Sequence, residues 1–229
     1  MIETLTTIWK YGTILILCSF LVSPNKSSAQ INDHLDDSVS FLNKANSLQI
    51  ANYKPKKAKN GKDGNERITI TLFKSGKAGN NGKNGKNAPD LTIKISRVDQ
   101  FSQYIMKVSV TSVSNLINDI FYINPQKGQL KIIADGGDGG DGGNGEDESD
   151  SNSSSIGGNG GNGGSGSNLD IYVEPAVKDL KIYGWLIISN IGGLGGSGGT
   201  GGKSKDQRFA DSAHGANGNM GNMGSQIIQ

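Results

Sequence analysis

Cysteine occurs once in this 229-residue chain, at Cys18, and histidine twice. Residues 14–22 form an apolar run too short to span a bilayer, with Lys10 before it and Ser27-Ser28-Ala29 after it. That pattern predicts an export signal over residues 1–29, cleaved before Gln30; Leu17 is too large for the small residue that a lipoprotein site at Cys18 would want. The mature chain is then expected to hold no cysteine, which excludes a disulfide framework, a thiolate nucleophile and a cysteine–zinc site. His34 and His214 have no ligand or acid–base partner at a useful spacing, so no metal or catalytic role is expected of them. No later segment reads as transmembrane. A net charge of +2 gives no global attraction to nucleic acid or membrane. Only 34% of residues are hydrophobic and 6% aromatic, which is lean for an ordinary core in one or two domains.

What the chain has instead is glycine in register. Of its 35 glycines, 32 fall in six arrays with a three-residue beat, at 61–64, 76–85, 136–145, 157–166, 192–202 and 215–224. The third, fourth and fifth arrays read Gly-Gly-X; the others carry one glycine per triplet. A flexible linker needs no such register. A period of three matches a left-handed extended helix with three residues per turn, whose amide and carbonyl groups point sideways and must be satisfied by neighbours. Two glycines per triplet leave two bare faces, so the Gly-Gly-X arrays are expected to pack on two sides and the single-glycine arrays to sit at edges. The arrays contain no proline, which argues against a collagen triple helix.

Between the arrays the chain reads as short strands. Residues 33–48 are expected to form an amphipathic helix with Leu35, Val39 and Leu42 on one face, followed by a basic loop around Pro55. Alternation predicts strands at 67–73, 91–95, 104–110, 130–134, 169–173 and 180–189, while 113–123 reads as strand or short helix. The order strand, glycine array, loop, glycine array, strand occurs at 130–173 and again at 180–229. The expected fold is mainly β, a β layer or sandwich continuing into packed polyglycine II helices, with a short N-terminal helix. Its expected divisions are 30–60 for the helix and basic loop and 61–229 for the rest, with a sub-boundary near 128.

The triplet arrays resemble the glycine-helix bundle proteins, namely the glycine-rich antifreeze proteins of springtails and the glycine-rich adhesins that cap some tailed-phage fibres. The resemblance covers mainly 136–224 and is one of architecture. The antifreeze likeness implies a flat ice-facing surface; the adhesin likeness implies that the loops joining the glycine helices, 146–156 and 203–214, contact a receptor.

Chemical motifs are sparse. Gly195-Gly196-Ser197-Gly198-Gly199 fits the hydrolase pattern Gly-x-Ser-x-Gly, yet it lies within an array rather than on a strand-to-helix turn. Lys203-Ser204 follows glycines, but Ser197 stands where a phosphate-binding loop needs its first glycine. Residues 54–87 carry a net +8 and residues 135–150 a net −7, which places them near each other, on an anionic partner, or simply in solvent. Asp138, Asp141, Glu146, Asp147, Glu148 and Asp150 offer hard oxygens of the kind calcium takes, against the plainer reading of a solvated acidic loop. Arg208 and Phe209 are the expected contact pair, since arginine and aromatic residues are enriched at binding hot spots. The expected function is an exported, non-catalytic, adhesin-like protein without a cofactor, whose partner is a surface glycan or protein and which is secreted, periplasmic or on the cell surface. The alternatives are an ice-binding protein and a calcium-binding or hydrolytic envelope protein.

Overall fold

Strict alternation of branched and polar residues gives Leu91–Arg97 and Met106–Ser112 one buried face each, and the two pair antiparallel. In the computed structural model, residues 40–64, 74–98, 105–148, 152–177, 184–206 and 208–229 are described. The strands in chain order are β1 (Leu48–Asn52), β2 (Lys74–Ser75), β3 (Leu91–Arg97), β4 (Met106–Ser112), β5 (Asn118–Ile123), β6 (Gln129–Ile133), β7 (Asn152–Ser153), β8 (Leu169–Val173), β9 (Leu186–Ser189) and β10 (Gln226–Ile228). The chain falls into two compact units, Met1–Asn43 and Lys44–Gln229. Of the first, residues 40–43 are described, and they are helical. The architecture below is that of the second unit.

The unit is mainly β. One sheet has the order β1-β6-β9, all parallel; the other has the order β10-β8-β3-β4-β5; β2 and β7 form a short parallel pair. Ala51, Leu130, Ile132 and Leu186 of the first sheet share one core with Ile93, Ile95, Val108, Val110, Leu169 and Ile171 of the second, and Trp185 is buried among them. The segment 113–123, ambiguous in sequence, supplies β5, and the strand expected at 67–73 lies outside the described residues. Within the expected helix 33–48, the described helical residues end at 45. Ser47 turns the chain by bonding back to the Lys44 carbonyl, and pairing with β6 then claims residues from Leu48 onward.

Between the two sheets and the loops run six glycine threads: the first at 58–64, the second at 76–88, the third at 136–146, the fourth at 157–166, the fifth at 191–202 and the sixth at 213–224. They continue the strands. The first, third and fifth leave β1, β6 and β9 and form one layer; the second, fourth and sixth enter β3, β8 and β10 and form another. Threads are parallel within a layer, as Gly139 N–H to Leu194 O and Gly142 N–H to Ser197 O show. They are antiparallel across layers, where Gly161 donates to Gly140 and Gly164 to Gly137, each at 2.8 Å. Successive amides of one thread therefore face different neighbours: Gly160 donates to Ala216 in the sixth thread, Gly161 to Gly140 in the third, and Asn162 to the Asn84 side chain in the second.

The glycine content of each thread matches its surroundings. In the fourth thread a Cβ on Gly160 would overlap the Gly196 carbonyl and one on Gly161 the Lys83 carbonyl. In the third thread, Gly139 faces Gly161 and Gly140 faces Lys59 in the same way. Threads with two close neighbours at these positions need two bare Cα atoms per triplet. The sixth thread, at an edge, needs one: Gly218 abuts Gly161, while Asn217 and Met220 are exposed. The expectation of two packed faces for Gly-Gly-X and one for single-glycine arrays agrees with these contacts.

Sheets and threads share one register. β6 pairs with β9 as Leu130↔Leu186, and the third and fifth threads keep the same separation of 56 residues in the contact of Asp138 with Leu194. The separation of 81 between β1 and β6 persists from Leu48↔Gln129 to Asn60 and Asp141; that of 78 between β3 and β8 persists to Asn81 and Asn159.

This packing predicts a sharp positional contrast. Gly161→Ala should cost about 3 kcal/mol, because main-chain atoms rather than a flexible side chain must move. Ser197→Ala, at an exposed outer position of the fifth thread, should change stability by less than about 0.5 kcal/mol. Urea unfolding of both variants measures the difference; equal effects would contradict the contact geometry.

Candidate functional site

The third residue of each triplet faces outward, and its amide is the one the glycine contacts leave over. Asparagine and aspartate side chains of the adjacent thread take it. Asp138 Oδ1 accepts the Leu194 amide at 2.9 Å while the next residue, Gly139, donates to the Leu194 carbonyl at 2.8 Å. One residue of the neighbouring thread is thus gripped at both its N–H and its C=O. The same clamp joins Asn60 to Asp141, Asp63 to Asn144, Asp141 to Ser197 and Asn144 to Thr200 in the first layer. In the second it joins Asn81 to Asn159, Asn84 to Asn162, Asn159 to Ala216 and Asn162 to Asn219. At the far edge the roles change: Asn217 and His214 side chains accept the otherwise open amides of Gly198 and Gly201.

The clamps account for much of the acidic character of 135–150. Lys54 Nζ lies 3.0 Å from Asp138 and Lys57 Nζ 2.7 Å from Asp141, so the basic segment after β1 lies on the acidic thread. Of the three arrangements weighed for these opposite charges, proximity within the fold is the one seen for these four residues. The Leu194 amide, then Lys54, holds the Asp138 carboxyl below its ordinary range; for Asp141 the Lys57 ammonium comes first and the Ser197 amide second.

The described loop residues 146–148, 152–156, 203–206 and 208–212 lie at the end of the glycine layers away from the two sheets. Glu146 Oε2 accepts the Lys77 amide at 2.7 Å and Asp147 Oδ1 the Lys203 amide at 2.7 Å. Glu148 accepts from the Ser204 hydroxyl and the Lys205 amide, which together lower its pKa, the hydroxyl contributing most. Five of the six acidic residues singled out in the sequence are thus engaged with main-chain donors, and Asp150 lies outside the described residues. Among the described residues, no three His, Cys, Asp or Glu side chains are grouped to hold a metal ion. Arg208 is paired with Asp206 within its own loop, Nη2 to Oδ2 at 2.7 Å, which lowers the Asp206 carboxyl and raises the guanidinium. Phe209 stands beside it at 67% exposure. An open depression of about 550 Å³ lies at this end, lined by Asp63, Asn144, Glu146, Asp147, Thr200 and His214 among others.

A further feature escaped the sequence reading. The clamps of the two layers differ in charge: those of the first include Asp63, Asp138, Asp141 and Asp147, whereas those of the second are made by Asn81, Asn84, Asn159 and Asn162, with the exposed Lys83 and Lys86 beside them in the second thread. The signal was present as asparagine or aspartate directly before the glycine in array after array, but it becomes a clamp only once the partner thread is known. Among the described residues no helix is long and apolar enough to cross a membrane.

Replacing Asp138 and Asp141 separates clamp from charge. Asp138→Asn keeps an acceptor oxygen and should change stability little, whereas Asp138→Ala opens the Leu194 amide and should cost about 1 kcal/mol. Depressed carboxylates contribute stability that is complete above their unfolded pKa and lost as pH falls through the folded one. The wild-type chain should therefore lose stability between about pH 5 and pH 2, and the Asp138→Asn/Asp141→Asn chain should lose less over that range in urea titrations. Comparison of the chain with protein-family models, with curated proteins and with solved structures returns no match.

Proposed function

We propose that the six threads are polyglycine II helices and that this is an exported, non-catalytic, adhesin-like protein, with the helices as a rigid spacer and the loops 146–156 and 203–214 as its contact region. The observation that carries this reading is the placement of both loops at one end of a doubly bonded lattice, opposite the two sheets. The helical assignment is supported by amides that turn to a different neighbour at each residue of a triplet, and by the absence of positive φ among the described glycines. At about 3.1 Å per residue, a thread of ten residues extends roughly 30 Å. Bonded on two or three sides along that length, it holds the loops at a fixed distance from the sandwich. Phe209, exposed and flanked by Arg208, is the anchor for a surface glycan or protein partner. A non-catalytic role is favoured because Ser197 occupies an outer triplet position with its amide held by Asp141, far from the strained turn that a serine nucleophile requires.

A second reading is favoured by the asparagine rows of the second layer. Its asparagines are held in rows by their own Oδ1 bonds, an ordered polar plane of the kind a flat ice surface would meet.

Two measurements separate the readings. Arg208→Ala/Phe209→Ala should leave thermal unfolding unchanged and lower adhesion of protein-coated beads to glycan- and cell-coated surfaces about tenfold, as loss of one hot spot of about 1.4 kcal/mol implies. Unchanged adhesion would reject the loop assignment. Asn219→Lys/Asn222→Lys, exposed residues of the sixth thread whose side chains form no clamp, should leave adhesion intact; thermal hysteresis in the wild type that this pair abolishes would replace the adhesin reading with the ice-binding one.

A further inference from the structure

Asparagine followed by glycine is the dipeptide in which the next amide nitrogen most readily attacks the side chain, because glycine puts no Cβ in the way. This chain has seven such pairs, beginning at Asn60, Asn81, Asn84, Asn144, Asn159, Asn162 and Asn217. Six of them are clamped. In each, the asparagine Oδ1 and the amide of the following glycine grip the same residue of the next thread, as Asn159 and Gly160 grip Ala216. For the amide nitrogen to reach Cγ, both groups must leave that residue together, which requires local separation of two threads.

Asn217-Gly218 is built differently. Asn217 Oδ1 accepts from Gly198 while Gly218 N–H donates to Gly196, so no single residue is gripped twice. Asn217 is exposed, and its thread lies at the edge of its layer, bonded to the fourth and fifth threads alone among the described residues. Its chain continuation, β10, is a three-residue edge strand with every residue exposed. Edge segments with few buried contacts open at the lowest cost.

We propose that Asn217 is the deamidation site of the folded protein and that the clamps shield the other six pairs. The Gly218 nitrogen, having lost its proton to solvent base, forms a bond to Asn217 Cγ. The tetrahedral adduct then expels Nδ2, protonated, as ammonia and leaves a five-membered succinimide. Water adds to either ring carbonyl and opens it, giving aspartate or isoaspartate at 217, so that one water is consumed and one ammonia released overall. Isoaspartate routes the main chain through Cβ and adds one atom to it. In a thread whose bonds repeat every three residues, that extra atom puts Gly218, Gly221 and Gly224 out of phase with their acceptors Gly196, Gly193 and Asn190. The modification thus loosens the edge of the lattice.

Peptide mass mapping of the purified full chain, incubated at mildly alkaline pH with and without denaturing urea, tests this. In urea all seven pairs should gain one mass unit at comparable rates. In the folded protein Asn217 should convert at least roughly tenfold faster than any clamped pair, as expected if its two bonds, made to separate residues from an edge thread with an exposed continuation, open more readily than a clamp on one residue. Asn217→Gln should remove the folded-state signal, and Asn60→Gln, whose clamp holds Asp141 rather than any residue of the sixth thread, should leave it. A folded protein in which a clamped pair converts as fast as Asn217, or in which Asn217 is as slow as the clamped pairs, would overturn the proposal.

Discussion

The approach of main chain to main chain is the constraint from which the rest of this structure follows. At Gly140, Gly161 and Gly196 a methyl group would occupy the space of a facing carbonyl. Nothing but hydrogen fits, and the reward is a hydrogen bond from nearly every amide that faces a neighbour. Glycine gives up more conformational freedom on ordering than any other residue. A single extended thread would offset that loss poorly, because its polar groups would only exchange water for nothing. Bonded on two or three sides, an inner triplet such as Gly160-Gly161-Asn162 gains partners for all three of its amides, and ordering becomes favourable as a collective property of the stack.

The clamp explains why the outer triplet position is not free to vary. Its amide is taken not by a main-chain carbonyl but by a side chain of the neighbouring thread, as Leu194 and Ser197 show. An asparagine or aspartate one residue before a glycine of that thread supplies the acceptor. Threads whose neighbour lies on the accepting side therefore carry Asn60, Asp63, Asn81, Asn84, Asp138, Asp141, Asn144, Asn159 and Asn162, whereas the fifth thread, with no further thread beside it in its layer, carries Leu194, Ser197 and Thr200 instead. The acidic run that looks in sequence like a cation site is, for Asp138, Asp141 and Asp147, part of this rule.

Much of the packing was legible in the triplet count, because the number of glycines records how many close neighbours a thread has. Strands at 91–95, 130–134 and 169–173 were legible from alternation for the usual reason that one face is buried. What stayed hidden depends on partners 56 to 81 residues away. Which outer residues share a face follows from which threads share a layer; the chain alternates between layers at every loop, so the asparagine rows of the second layer are assembled from three separate arrays. The end of the helix at residue 45 was missed because Leu48 to Ala51 continue an apolar pattern that both periods fit, and pairing with β6 decides between them.

A lattice that repeats every three residues has an inherent weakness: sliding one thread by a triplet recreates most of its bonds. In an ordinary sheet a slip is penalised because side chains change faces, but a glycine thread moved by three residues presents the same faces again. The two sheets remove that degeneracy. Because the separations of 56, 78 and 81 residues run unbroken from strand pairs into clamps, any slip in the threads would have to be matched in β1, β3, β6, β8 and β9. There Leu130, Ile132, Ile93, Ile95 and Ile171 sit in a single core of definite shape, and a three-residue shift would turn buried side chains outward, since three is odd and strands alternate with period two. The incommensurate periods of strand and thread are therefore what lets a small apolar core set the phase of a long, repetitive and nearly featureless glycine stack.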